Sequence, residues 1–271
     1  MKKLFYMALS LVAIAAFTAC GSDDDDEDVV TEPERLDSVV CKTDEKKPLA
    51  DYSDFDWEKS IYTYDQKGLC TQEDVWRFEI IEKHNGWHFY LKDVYTYDAN
   101  ARIVSVETKY PDLGNKEYMT QYTYDGNKKI TRERSDGTIP KKRWVSYLDE
   151  QGRDTLFLEY DYEMWNDKEY SWVVAESYKH TYDKNGNIEK VEGFSYEDGK
   201  IVLSCIYKDF VYDPKVQAKN LWMPTSATTN WILDLKANKN KLLSCKFVYL
   251  DEDGKVEHSY THTFHYSKIK K

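Results

Sequence analysis

Through most of this chain aromatic and apolar residues alternate with polar ones, and Asp and Gly break the alternation at regular intervals. Tyr62-Thr63-Tyr64-Asp65 recurs as Tyr95-Thr96-Tyr97-Asp98 and Tyr122-Thr123-Tyr124-Asp125, then as His180-Thr181-Tyr182-Asp183 and Phe210-Val211-Tyr212-Asp213. Two variants read Tyr147-Leu148-Asp149 and Tyr249-Leu250-Asp251, and Phe264-His265-Tyr266 is a truncated copy near the end. The seven aspartates lie 33, 27, 24, 34, 30 and 38 residues apart. Side chains at alternate positions share one face of a strand, so each unit predicts a β-strand with its aromatics on one side.

Asp then starts a turn, and Gly three places later (Gly68, Gly152, Gly186, Gly254) accepts a positive φ. Ala101 and Lys128 stand where Gly is expected, with Asn100 and Asn127 available for the left-handed position; Val216 has no such neighbour. A second set of turn signals lies between the units: Asn85-Gly86, Gly114-Asn115, Asp136-Gly137, Asn166-Asp167 and Asp198-Gly199. Each repeat therefore reads as strand, turn, strand, turn. The expectation is an all-β fold, an antiparallel up-and-down meander of about 14 strands, curled or barrel-like. Charges on both faces of Thr131-Arg132-Glu133-Arg134 favour a sheet left partly open. No amphipathic helix is predicted.

The unit resembles the YD repeat of Rhs-type bacterial surface proteins, and the resemblance covers about residues 60–266. It implies a β-sheet wound into a shell or an elongated surface, and it supplies no catalytic residues.

The first twenty residues differ in kind. Lys2 and Lys3 precede an apolar run from Leu4 to Phe17, interrupted only by Ser10. That run is shorter than the ~20 residues a bilayer-spanning helix needs, and reads as a signal peptide. It ends in Phe17-Thr18-Ala19-Cys20-Gly21, which resembles the lipobox of bacterial lipoproteins, with Phe17 in place of the usual Leu. The resemblance implies cleavage before Cys20 and a lipid anchor on that cysteine. Six acids, Asp23 to Asp28, follow at once; such a run stays extended and solvated. Acidic stretches in this place are similar to the export signal of Bacteroidetes surface lipoproteins. The expected organisation is a signal peptide over 1–19, a lipidated acidic tether over 20–33 and one β domain over 34–271, on an outer membrane and facing the cell exterior.

Without residues 1–19 the formal charge moves from −11 to −13, which gives no electrostatic reason to bind nucleic acid. Four cysteines remain after Cys20, in a compartment that permits disulfides. A strand around Trp231-Ile232-Leu233 is expected between those carrying Cys205 and Cys245, and the strand of Tyr62 and Tyr64 between Cys41 and Cys70. Two strands separated by a third are about 9.6 Å apart, beyond the usual Cα separation of a disulfide. Four buried free thiols are therefore expected.

Catalytic and metal motifs are sparse. His258 and His262 sit in a strand pattern, where four residues span about 13 Å, too far to share one metal. His84 and His88 flank the Asn85-Gly86 turn signal, which a hairpin would use to bring them together without a third ligand. Asp183 to Glu189 reads as a repeat turn, because its Gly stands at the wrong position for a calcium loop. No cofactor, no metal and no enzymatic activity are expected.

One cluster stands apart. Tyr160, Tyr162, Met164, Trp165, Tyr170 and Trp172 crowd a single hairpin around Asn166-Asp167. A three-residue loop would set Met164 against Tyr170 and Tyr162 against Trp172 on one face; a two-residue loop would divide the aromatics between faces. Cross-strand packing explains such a cluster, and an exposed stripe would make a platform for a glycan or protein ligand. The expected function is a non-catalytic surface lipoprotein whose sheet binds or supports. The alternatives are a secreted glycan or peptide hydrolase and a periplasmic envelope-assembly factor.

Overall fold

The computed structural model describes residues 33–45, 57–81, 84–114, 116–126, 129–136, 139–165, 169–197, 200–224, 233 and 235–269. It contains fourteen strands: β1 (Glu34–Thr43), β2 (Trp57–Tyr64), β3 (Cys70–Ile81), β4 (His84–Tyr97), β5 (Ile103–Tyr110), β6 (Lys116–Asp125), β7 (Lys129–Asp136), β8 (Ile139–Leu148), β9 (Asp154–Trp165), β10 (Glu169–Tyr182), β11 (Ile188–Glu197), β12 (Lys200–Gln217), β13 (Asn240–Leu250) and β14 (Val256–Lys268). The described helix amounts to three single 3-10 turns. Every strand pairs antiparallel with its neighbours in sequence, and β1 pairs with β14. The meander is thus a closed barrel, and the expectation of a partly open sheet is corrected. Closure removes both sheet edges. Charge on both strand faces is compatible with it, because a barrel of this strand number is too wide for apolar side chains alone to fill. Arg132 is buried inside the wall, while Glu133 pairs with Arg143 on the outside.

The repeated Tyr-Asp unit has a physical account. The tyrosine before Asp turns into the barrel and donates its hydroxyl to a backbone carbonyl at the start of the preceding strand. Tyr64 reaches Leu36, Tyr97 reaches Cys70, Tyr124 reaches Ile103, Tyr182 reaches Asp154, Tyr212 reaches Ile188 and Tyr266 reaches Leu242. β8 carries Leu148 at this position and has no hydroxyl to offer. The aspartate closes the turn: Asp183 Oδ1 accepts the N–H groups of Asn185 and Asn187, and the Gly186 N–H donates to the Asp183 carbonyl. Asp65, Asp98, Asp149 and Asp251 do the same. In the second unit Ala101 itself takes the left-handed conformation, φ 60°, and not Asn100 as expected. Tyr182→Phe removes one of these ties and leaves a carbonyl without its partner. It is expected to cost about 1 kcal/mol, measured as a shift in the urea midpoint at unchanged slope.

One unit breaks the pattern. β12 continues through Asp213 to Gln217 without a hairpin, and a connection over 218–239 follows. Its Ala218, Leu221, Met223, Leu233 and Leu235 are buried in the same cluster as Leu36, Tyr62 and Cys70. Trp222 bonds through its backbone to Glu34 and Leu36, and its indole lies over Gly68. These described residues stopper the barrel at the end where most of the Asp turns lie and where the Ile269 N–H meets the Pro33 carbonyl. The Asp251 turn, joining β13 to β14, lies at the opposite end.

One expected turn and one expected strand also differ. Asn85 and Gly86 pair with Ile80 and Glu79 inside the β3–β4 ladder, and the reversal falls between Ile81 and His84. His84 and His88 therefore lie on one strand, four positions and about 13 Å of backbone apart. β12 and β13 pair directly, Lys208 opposite Lys246, so no strand passes between Cys205 and Cys245. All four cysteines are nonetheless free. Cys205 faces Tyr249, four residues from Cys245, and that offset along the strands keeps the thiols apart. β2 separates Cys41 from Cys70 as expected. Cys41 is half-buried, and the other three are buried.

Candidate functional site

The aromatic hairpin adopts the three-residue-loop register. Met164 pairs with Tyr170, Tyr162 with Trp172 and Trp165 with Glu169. The face is set by the neighbours: Phe157 and Tyr178 are buried and point inward, so by strand parity Leu158, Tyr160, Tyr162, Tyr170 and Trp172 point outward. A bulge at Val174/Glu176 preserves this on β10. Tyr162 stacks on Tyr170 at 5.2 Å and 15°, and meets Trp172 at 4.9 Å. The Arg143 guanidinium lies 4.1 Å from the centre of the Trp172 ring and is held by Glu133 at 2.8 Å. Tyr170 is 54% exposed. Tyr160 sits opposite Arg143 and lines a groove of about 320 Å³ with Thr131, Glu133, Arg143, Val145 and Tyr147. β8 follows β9 only as far as Asp161, and β11 meets β10 only from Glu176, so the tip stands clear of both neighbours. Tyr160, Tyr162, Tyr170 and Trp172 are thus brought together on the outer wall; the side chain of Trp165 and the lipidation residue Cys20 lie outside the described residues.

The outer wall also carries an aromatic patch that sequence reasoning missed. Lys42, Trp57, Phe78 and Trp87 form one row across β1 to β4, and Lys59, Trp76 and Phe89 form the next. Trp57 meets Phe78 at 4.7 Å, Phe78 meets Trp87 at 5.7 Å and Trp76 meets Phe89 at 5.3 Å. Lys59 lies over both Trp76 and Trp87. The signal was available as alternate aromatics on both sides of a reversal, Trp76/Phe78 and Trp87/Phe89. It is hidden because Asn85-Gly86 reads as a turn, which throws the pairing off register.

Elsewhere the outside is charged. Lys92 lies between inward Leu91 and Asp93, Glu107 between Val106 and Thr108, and Lys179 between Tyr178 and His180. Glu192, Lys208 and Lys246 follow buried Val191, Tyr207 and Cys245. Several of these charges pair along the surface, as Lys109 does with Glu107 and Glu117 and Lys190 with Glu192. A barrel that crosses a bilayer presents an unbroken apolar band about 25 Å tall. Among the described residues the outer wall interleaves these charges with its apolar positions.

The interior offers little nucleophilic chemistry. Burial pushes the Cys70 and Cys205 thiols up to about 12 and those of Cys41 and Cys245 higher still. All four remain protonated thiols, poor nucleophiles and poor metal ligands. Burial lowers His262 to about 4, so it is neutral beside Cys41, whose sulfur lies 3.6 Å from Nε2. Among the described residues no group of three His, Cys, Asp or Glu side chains is arranged to hold a metal.

No protein-family model matches the chain, and no curated protein matches it. Among solved structures it is similar to a porin-like protein from Bacteroides uniformis ATCC 8492, with 7% identity and a TM-score of 0.43 over 86% of this chain and 98% of that one.

Proposed function

We propose that the chain is a non-catalytic, lipid-anchored envelope protein whose barrel stands outside the bilayer and binds glycan on its wall. The observation that carries this reading is the outward stripe of Tyr162, Tyr170 and Trp172, flanked by the Glu133–Arg143 pair and the Tyr160 groove. Flat aromatic faces match the C–H faces of sugar rings, and a nearby carboxylate and guanidinium fix hydroxyl groups. The lipobox at Cys20 and the acidic run Asp23 to Asp28 supply the anchor and the tether, with the barrel on the cell exterior.

The test is affinity electrophoresis of the full chain through gels containing soluble polysaccharides. Retardation by at least one of them is expected, and Trp172→Ala is expected to weaken it at least tenfold without loss of fold. No retardation by any polysaccharide, or an unchanged Trp172→Ala, would refute the outer-wall site.

A further inference from the structure

The two aromatic surfaces of the outer wall differ in how their cations are held. On the β8–β10 stripe the Arg143 guanidinium lies over Trp172 and is paired with Glu133. On the β1–β4 patch Lys42 lies 5.6 Å from the centre of the Trp57 ring, and Lys59 lies 5.9 Å from that of Trp76 and 4.9 Å from that of Trp87. Val39, Ser60 and Val75 are buried inward, so strand parity turns Lys42, Trp57, Lys59 and Trp76 outward. Lys42 is exposed, and Lys59, Trp57, Trp76 and Trp87 each keep part of their surface.

The described carboxylates around these lysines are taken elsewhere. Glu58, between Trp57 and Lys59, turns inward to Arg77 at 3.2 Å. Asp74, on the outer face of β3, accepts from the Gln72 amide at 2.9 Å. Asp44, two positions beyond Lys42, is held by Lys246, Ser259 and Thr261, and Glu45 meets His258. Lys42 and Lys59 thus have no carboxylate partner among the described residues.

An ammonium group is attracted to the face of an indole ring, so the tryptophans hold these two charges in place. Lys42 faces Trp57 and Lys59 faces Val40, which makes the lysines diagonal neighbours, about 7–8 Å apart at the backbone. A ligand that fits carries single, spaced negative charges on a frame of apolar-faced rings. A chain of net charge −11 repels densely charged nucleic acid, with one charge per ~1.7 Å. Closure of the barrel leaves no sheet edge to which an acidic peptide could add as a strand.

We infer that the β1–β4 patch is a second binding site, for an acidic polysaccharide. Lys42 and Lys59 pair with its carboxylate or sulfate groups, and Trp57, Trp76 and Trp87 contact its sugar rings. The site goes beyond the glycan stripe and lies on a different arc of the wall, with Glu107, Lys109 and Glu117 between the two.

Isothermal titration of the full chain in detergent tests it. The probes are oligogalacturonate and oligoalginate, which carry carboxylates, carrageenan oligosaccharides, which carry sulfates, and neutral malto-oligosaccharides. At least one acidic series binds, and which one distinguishes carboxylate from sulfate. The double variant Lys42→Gln, Lys59→Gln binds it at least tenfold more weakly at unchanged thermal stability, and Trp87→Ala at least threefold more weakly. Raising the salt from about 0.05 to about 0.5 M weakens binding by the parent chain, because exposed charges are screened. Trp172→Ala leaves acidic binding unchanged, so the patch and the stripe fail separately. No binding of any acidic series, or full-strength binding by the double variant, overturns the site. Loss of acidic binding in Trp172→Ala assigns it to the stripe and overturns the patch as well. Polyglutamate binding as tightly as the best oligosaccharide would mean that charge alone is read, and overturns the polysaccharide.

Discussion

Gly68→Ala is expected to destabilise the barrel by about 2–4 kcal/mol, against about 1 kcal/mol for Gly254→Ala. Both glycines end an Asp turn with positive φ, 82° and 74°, so both substitutions carry the cost of a left-handed alanine. They differ in what the new methyl meets. At Gly254 nothing lies within 4 Å. At Gly68 the added Cβ would fall 2.6–2.8 Å from three atoms of the Trp222 indole. Trp222 is the residue through which the stopper bonds to β1, so the clash unseats a buried segment, not merely a turn. Denaturation midpoints of the two variants check this, and tryptophan emission should shift red in Gly68→Ala alone. Equal losses would mean that the stopper does not rest on this turn.

A second large effect is a loss of stability in acid centred on His262. Its ring is buried among Cys41, Tyr207 and Phe247, with Cys245 opposite on β13, and burial lowers its pKa from 6.5 to about 4. The Asp44 carboxylate pulls the other way and is outweighed. A base with a depressed folded pKa binds fewer protons folded than unfolded. Its contribution is present above pH 6.5 and is lost as the pH falls toward 4. The shift is worth about 3 kcal/mol. Unfolding free energies measured across this window should fall in the parent chain and fall less steeply in His262→Gln. Parallel curves would place the acid sensitivity elsewhere.

Much of this architecture is legible because the Tyr-Asp unit is a local device. One tyrosine hydroxyl, one aspartate cap and one left-handed residue specify a turn within a few positions, so strand number and order follow from counting copies. Closure is not local: β1 and β14 pair Glu34 with Lys268, and nothing in either strand announces the other. The stopper was missed because its buried Leu221, Met223 and Leu235 follow no period, and Asp213 imitates a turn that is never made. The stripe of Tyr162, Tyr170 and Trp172 was legible as a cluster, while its face depended on loop length, which only the register decides. The patch of Trp57, Trp76 and Trp87 joins strands across a reversal that Asn85-Gly86 disguises. The Cys205–Cys245 expectation reached the right outcome for another reason: β12 and β13 pair directly, and register offset separates the thiols.

The central proposal is that this barrel stands in water and is held to a membrane by the lipid on Cys20. Fractionation of cells carrying Cys20→Ala tests it most directly. With the acceptor cysteine removed, palmitate labelling should vanish and the exported chain should be recovered soluble and folded without detergent, as its charged outer wall requires. A Cys20→Ala protein that still labels, or that stays in the membrane pellet after carbonate extraction, would contradict the account.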